Sequence, residues 1–116
     1  MYTCPCCGHE VFGEEPGSYD ICPICFWEDD AMQLYYPHQT GGANPSSLIQ
    51  SQVNFFQFGA CDKGMVKNVR PPTSDERRDH LWFPLWERKV ELPDEDDRTF
   101  QNEKSIKQLC YWLRCI

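Results

Sequence analysis

The sequence predicts a small α+β domain in which two cysteine knuckles pack against helices and a mainly helical C-terminal extension follows. Three observations carry this prediction: two C-x-x-C pairs near the start, a helix-forming segment after an Asn-Pro pair, and an aromatic-rich segment after a double proline. A chain of 116 residues is long enough for one domain, or for one domain with an appendage. We therefore predict a metal-binding domain over residues 1–75 and a helical extension over residues 76–116 that packs on it.

The two C-x-x-C pairs, Cys4/Cys7 and Cys22/Cys25, are separated by fourteen residues, a spacing typical of zinc ribbons and rubredoxin-like knuckles. A C-x-x-C turn directs two sulfur atoms to one point, and a proline after the first cysteine presets φ for the turn. Two such turns can complete a tetrahedral shell with Zn–S bonds of about 2.3 Å. We therefore predict one structural Zn²⁺, which would supply folding free energy that a small core lacks.

Other roles for these cysteines are weaker. A thioredoxin-like redox motif needs a βαβ context, which the flanking sequence lacks. Cys6 could replace a ligand or act as a redox sensor, and His9 could replace a missing ligand, but we expect both to lie outside the shell. Four thiolates would leave no open coordination position, and no general base is visible in a motif, so an enzyme is not predicted.

The first elements in chain order are two short strands. Val11-Phe12 and the segment 19–21 flank a turn at Pro16-Gly17, and they are the predicted strands. Together with the knuckles they give the order strand, knuckle, turn, strand, knuckle.

A helix is predicted to follow a connector over residues 31–45. Asn44 is its expected N-cap, Pro45 its first residue and Gly59 its C-cap, so the helix should end near Phe58. The residues expected on its buried face are Ile49, Val53, Phe56 and Ala60, with Leu48, Gln52 and Phe55 beside them.

Two further helices are predicted in the extension. The first should begin at Ser74 as its cap and end near Phe83, because Pro84 follows. The second should run from Asn102 to Cys115, after an acidic run over residues 94–97. The aromatic residues between them should pack on the helix over 45–58 or form a partner surface.

Charge is distributed unevenly along the chain. Residues 1–62 contain no lysine or arginine and eight acidic residues, which sum to −8, and the whole chain carries −7. Binding to a phosphate backbone depends on clustered basic residues, so nucleic acid is not an expected partner.

No stretch of eighteen apolar residues occurs, so no membrane span is predicted. The absence of a signal peptide favours a cytoplasmic protein with reduced thiols.

The segment after the second knuckle joins two aromatic residues to three acidic ones. Trp27 could anchor a protein partner while Glu28, Asp29 and Asp30 select a basic surface. In a purely structural interpretation, Phe26 or Trp27 covers the metal and the acids are solvated. We predict the docking edge, formed by Trp27, Glu28, Asp29 and Asp30.

Five segments resemble the bacterial cysteine-rich CPCC family over residues 2 to 75. The segments are YTCPCCG at 2–8, GSYDICPICFWEDD at 17–30, GGAN at 41–44, FGAC at 58–61 and VRPP at 69–72. The resemblance implies a small bacterial zinc-binding domain with Cys4, Cys7, Cys22 and Cys25 as ligands. It also implies occurrence beside toxin genes, so the most concrete hypothesis is an acidic immunity protein that occludes a basic site on a cognate toxin such as a nuclease. The alternatives are a stand-alone structural zinc domain with another protein partner or regulatory role and, third, a redox or hydrolytic enzyme.

Overall fold

The computed structural model describes residues 1–93 and 104–114. Within these ranges two strands and three α-helices form, with short 3₁₀ turns between them. In chain order they are β1 (Tyr2–Thr3), β2 (Glu10–Phe12), α1 (Ala31–Tyr35), α2 (Leu48–Phe58), the 3₁₀ turns Lys63–Asn68 and Leu85–Glu87, α3 (Ile106–Leu109) and the 3₁₀ turn Tyr111–Leu113.

Each cysteine knuckle lies inside its own small hairpin. β1 and β2 are antiparallel around the first knuckle, where the backbone N–H of Cys4 donates to His9 O at 2.8 Å. Around the second knuckle, Cys22 N–H donates to Trp27 O at 2.9 Å and Ile21 bridges Glu28. The prediction of a strand at Val11-Phe12 is confirmed, but its partner is β1. The predicted strand over 19–21 is wrong except for the bridge at Ile21, because the ladder closes across the knuckle.

A short helix, α1, occupies part of the segment predicted as a connector. Asp30 is its N-cap, and its Oδ1 accepts from the backbone N–H groups of Met32 at 2.9 Å and Gln33 at 3.3 Å. The fully buried Gln33 then ties down the following loop, since its amide donates to the carbonyl oxygens of residues 39, 44 and 46. Gly42 is required there because an added Cβ would lie 2.6 Å from Asp30 Oδ2.

Helix α2 begins three residues later than predicted. Ser47 is the N-cap, with Oγ accepting from Gln50 N–H at 3.1 Å. The prediction that Asn44 caps the helix is wrong, because the Asn44 amide exchanges two hydrogen bonds with the backbone of Glu28. The predicted C-cap at Gly59 is confirmed by its left-handed φ of 85°.

The buried face of α2 also differs from the prediction. Leu48, Ser51 and Gln52 are buried, whereas Phe56 is 48% exposed. The reason is the position of the later chain. Leu85 N–H donates to the side-chain oxygen of Gln52, so the chain after residue 82 covers the side of α2 that carries Gln52.

The helix predicted from Ser74 to Phe83 is absent. Turns at residues 74–75 and 80–81 flank a short stretch that pairs beside the first knuckle: Glu10 N–H donates to Arg77 O and Asp79 N–H donates to Gly8 O, each at 2.8 Å. Pairing with the free edge of β2 satisfies backbone groups that a helix would satisfy internally, and it allows Trp82 and Phe83 to enter the core.

The last predicted helix is shorter in its described part. α3 spans Ile106–Leu109, with a capping box between Ser105 and Gln108, and the 3₁₀ turn Tyr111–Leu113 follows. The acidic run over 94–97, residues 102 and 103, and Cys115 lie outside the described residues.

Trp82, Phe83, Tyr111 and Trp112 share one core with the knuckle cysteines. The division at residue 75 stays a prediction. Across the described ranges, no helix has the length and apolar character needed to cross a membrane.

Candidate metal centre

The two knuckles bring four sulfur atoms together at the centre of the core. The Sγ atoms of Cys4, Cys7, Cys22 and Cys25 all lie within 4.8 Å of one another, and all four side chains are fully buried. The sequence-predicted ligand set is therefore assembled as one cluster.

The sulfur separations match a shared metal and not disulfides. Cys4 Sγ and Cys25 Sγ are 3.5 Å apart, and Cys7 Sγ and Cys22 Sγ are 3.8 Å apart. A disulfide would need about 2.05 Å. A tetrahedral metal with bonds of about 2.3 Å to sulfur places its ligands about 3.8 Å from each other. Both close pairs join one knuckle to the other, so a metal ion would cross-link the two hairpins.

The four thiol groups change one another's pKa values. Burial raises the pKa of the Cys4 and Cys25 thiols well above the usual value, whereas the thiol groups of Cys25, Cys4 and Cys7 lower the pKa of Cys22 by hydrogen bonding. The backbone N–H of Ile24 also points at Cys22 Sγ, at 3.4 Å. A divalent ion would replace the shared protons with a charge that stabilises all four thiolates.

The residue after each second cysteine has a left-handed backbone. Gly8 has φ of 80° and Phe26 has φ of 70°, and the N–H of each donates to the carbonyl of the first cysteine in its knuckle at 2.8 Å. An added Cβ at Gly8 would lie 2.5 Å from the Trp82 ring, so glycine is needed there for space as well as conformation. Phe26 adopts the same turn with a side chain, which costs about 1–2 kcal/mol.

Later parts of the chain bind the outward carbonyl groups of the first knuckle. Pro5 O accepts from Gln52 Nε2 at 2.9 Å and from Trp82 Nε1 at 3.0 Å, and Cys7 O accepts from Arg78 Nε at 3.2 Å. These bonds fix the turn that aims Cys4 and Cys7 inward.

The second knuckle is held in a corresponding way. Cys25 O accepts from Cys61 N–H at 2.7 Å, and Pro23 O accepts from Arg70 N–H at 3.1 Å. The Arg70 guanidinium makes two bonds of 2.7 and 2.9 Å to Glu76, which lower the pKa of that carboxyl to about 2. The segment 70–76 thus runs from the second knuckle to the first.

Cys6 and His9 both lie outside the four-sulfur group. Cys6 is fully buried, and burial raises its pKa, but it is not one of the four mutually close sulfurs. His9 Nδ1 lies 2.7 Å from Glu76 O. Because a carbonyl oxygen only accepts, Nδ1 carries the proton and donates it.

The predicted docking edge is wrong for three of its four residues. Trp27 is 0%, Asp29 1% and Asp30 5% exposed, and Glu28 is half-buried. Asp29 Oδ2 accepts from Ser18 Oγ at 2.9 Å and from the backbone N–H groups of Gly17 and Ser18. Burial raises the pKa of Asp29, and these hydrogen bonds oppose the shift. Asp29 and Asp30 therefore both accept hydrogen bonds from backbone N–H groups of this chain.

A buried polar network missing from the sequence analysis links α2 to the later chain. Gln52 Nε2 donates to Tyr111 Oη at 2.9 Å, and Gln52 Oε1 accepts from Leu85 N–H at 2.8 Å. Tyr111 Oη in turn donates to Phe83 O, and burial raises the pKa of this phenol, so it stays a donor. The sequence signal for this network was Gln52, a polar side chain placed beside the predicted apolar face of the helix.

The exposed aromatic residues lie elsewhere, on what we call the aromatic–arginine face, formed by Phe56, Arg78 and Trp86. The Phe56 and Trp86 rings are 5.0 Å apart in an edge-to-face arrangement, and they are 48% and 46% exposed. The Arg78 guanidinium lies 5.3 Å from the centre of the Phe56 ring.

These features define a small α+β domain built around a cluster of four cysteines that can hold a metal ion. The family model described as cysteine-rich CPCC matches residues 2–76, which is more than half of the chain. The chain belongs to this cysteine-rich CPCC family. A search of curated proteins finds no significant match. The matched region contains the whole cluster and α2, and it ends at Glu76, the partner of Arg70.

Proposed function

We propose that this protein is a protein-binding module whose fold is stabilised by one Zn²⁺ bound to Cys4, Cys7, Cys22 and Cys25. The observation that supports this most directly is the set of four fully buried sulfurs within 4.8 Å of one another. Four thiolates saturate a tetrahedral ion, so the metal would hold the two hairpins together and leave no position for substrate.

The identity of the metal is part of the proposal. Thiolate ligands in a tetrahedral set select zinc or iron. Elemental analysis of protein produced with both metals should give one zinc per chain, and Cys22→Ser should lose it. Cys61→Ser is the matched control, since Cys61 is also buried but outside the cluster. Metal-free protein with intact thiols, or one coloured iron per chain, would overturn the zinc assignment.

A catalytic role is not part of the proposal. Beyond the closed cluster, a cavity of about 150 Å³ is lined by residues that include Thr3, Glu10, Asp79 and Cys110. Burial raises the pKa of Cys110 to about 12, so its thiol stays protonated at neutral pH and is a poor nucleophile.

Protein binding is supported by exposed side chains of two kinds. The loop after β2 exposes Glu14, Glu15 and Asp20 beside Tyr19, which is 58% exposed, and no basic residue occurs before Lys63. This acidic loop replaces the buried docking edge as the proposed contact for a basic partner.

The immunity hypothesis is the most specific form of this proposal, and it rests on the family resemblance and the charge distribution. Cells expressing a toxin encoded beside this gene should survive when the protein is present, and Glu14→Lys/Glu15→Lys should reduce survival. If the protein gives no protection and binds no neighbouring gene product, the alternative of a structural zinc domain with another partner is favoured.

A further inference from the structure

We propose that the aromatic–arginine face is a second binding surface, which takes an acidic protein segment carrying an apolar side chain. The proposal rests on the proposed function, because it assigns another partner surface to the same module. It is carried by two exposed rings in contact, by an arginine laid against the Phe56 ring, and by the absence of an ion pair at Arg78 and Arg88 among the described residues.

The rings form a preorganised apolar contact. Phe56 packs edge to face on Trp86 at 5.0 Å, and it stacks parallel to the buried Trp82 at 6.4 Å. Exposed aromatic side chains fixed by their neighbours lose little entropy when they bind, and Trp, Tyr and Arg dominate protein interfaces. Nearly half of the Phe56 and Trp86 surface is still open to solvent.

Arg78 and Arg88 flank the segment that carries Trp86, although the chain as a whole is acidic. Helix α2 (Leu48–Phe58) contains no charged residue. Arg78 contacts the Phe56 ring, and Arg88 follows Trp86 by two residues and is exposed. Among the described residues, neither arginine forms an ion pair.

The nearest acidic residues of this segment are already engaged. Asp79 accepts from Thr3 Oγ1 at 2.7 Å and from Leu81 N–H at 2.9 Å. Glu87 pairs with Lys89 at 2.9 Å. Neither carboxylate is paired with Arg78 or Arg88, so both guanidinium groups could bind a carboxylate of an acidic partner.

Charge complementarity selects the partner. A basic segment would meet Arg78 and Arg88, and like charges at close range cost affinity. A carboxylate could reach Arg78 while a leucine or phenylalanine beside it covers the Phe56 and Trp86 rings. Nucleic acid also combines negative charge with stacking, but a single strand is bound by a groove with many basic side chains and a series of stacking rings, whereas this face has two exposed rings and one arginine laid against them.

The first experiment measures the local potential. Trp86 is 46% exposed, whereas Trp27, Trp82 and Trp112 are buried, so collisional quenching of tryptophan fluorescence reports on this face. After the quenching by each ion is normalised to its quenching of free N-acetyltryptophanamide, iodide should quench at least about twofold more than caesium, and Trp86→Phe should abolish the difference. Equal quenching, or stronger quenching by caesium, would overturn the positive potential.

The second experiment measures binding of defined probes to the full zinc-loaded chain. A dodecapeptide of Asp and Glu with two leucines and one phenylalanine should bind, whereas its lysine twin should show no binding that Phe56→Ala weakens, because any contact of the twin with the acidic loop does not involve this face. Phe56→Ala and Arg78→Gln should weaken binding about tenfold or more, and Arg78→Lys should restore part of it. Lys67→Gln and Tyr19→Ala, which change an exposed charge and an exposed ring outside the face, should leave it unchanged. Circular dichroism and zinc content verify that each variant is folded.

Three kinds of result would contradict the proposal that this face binds an acidic protein segment. Tighter binding of oligo(dT)₁₂ than of the acidic peptide would assign the face to nucleic acid. Binding of the lysine peptide that Phe56→Ala weakens, or binding of neither peptide at millimolar concentration, would remove the acidic partner. A dimer that Trp86→Ala dissociates would make the face a self-contact. Zinc content and protection from a toxin are measured separately, so failure here differs from failure of the proposed function.

Discussion

Gln52 is the residue whose replacement tests most directly how the knuckles are attached to the rest of the chain. Its amide donates to Pro5 O in the first knuckle and to Tyr111 Oη, and its oxygen accepts from Leu85 N–H. We expect Gln52→Leu to destabilise the zinc-loaded protein by about 1–4 kcal/mol.

The size of this destabilisation depends on which hydrogen bonds the three partners of Gln52 keep after the substitution. Pro5 O keeps Trp82 Nε1, and Tyr111 Oη keeps Phe83 O, so the two lost bonds cost about 1 kcal/mol each. Leu85 N–H loses its acceptor while buried, which costs about 1–3 kcal/mol. The leucine side chain offsets about 1–2 kcal/mol of this by apolar burial.

The assay is urea denaturation at constant free zinc, with Gln57→Leu as the control because Gln57 is exposed on the same helix. The control should change stability by less than about 0.5 kcal/mol. Gln52→Glu adds a test by pH: a carboxylate buried beside Pro5 O has a raised folded-state pKa, so its destabilisation should be full at pH 7 and shrink toward pH 5. Equal effects of Gln52→Leu and Gln57→Leu would refute the assigned role of the network.

Three further predictions concern single positions. Gly42→Ala should cost about 1–3 kcal/mol in urea, because its Cβ would meet Asp30 Oδ2 at 2.6 Å, while Gly13→Ala, with no atom within 4 Å, should be nearly neutral. Asp29→Ala should accelerate amide exchange at Gly17 and Ser18, whose N–H groups it accepts, and Asp20→Ala should not; unchanged exchange would contradict the buried role of Asp29. Cys6→Ala should retain one zinc per chain on elemental analysis, because Cys6 lies outside the four-sulfur group, and loss of zinc would make it a ligand.

The features that could be predicted from the sequence are those set by a few neighbouring residues. A C-x-x-C turn with proline positions its own two sulfurs, so the spacing indicated which cysteines would come together. The C-cap at Gly59 is equally local, since a left-handed φ of 85° suits glycine. The missed helix α1 also had a local signal, an Asp30 cap followed three residues later by Gln33.

The errors arise where a distant partner outweighs a local preference. Asn44 before Pro45 is a plausible cap, but its amide instead bonds to the backbone of Glu28, sixteen residues earlier in the chain. The residues from Ser74 onward have helical start signals, yet their backbone pairs with β2. Trp27 and Asp29 have the composition of an exposed docking edge, and only the folded chain shows that both are buried. Pairing and burial of this kind depend on contacts that no local window contains.

The hydrogen bonds that hold the knuckles also connect the metal centre to the proposed partner surface. Arg78 donates through Nε to Cys7 O, next to a candidate ligand, and the same guanidinium lies on the Phe56 ring. Trp82 donates to Pro5 O and stacks on Phe56. Arg78 and Trp82, which both contact the Phe56 ring, are therefore each hydrogen-bonded to the first knuckle. A metal ion that fixes Cys4 and Cys7 therefore also fixes the carbonyl groups that position Arg78 and Trp82. In this arrangement a metal with no open coordination position would still affect the proposed binding, because it would set the geometry of the proposed partner surface.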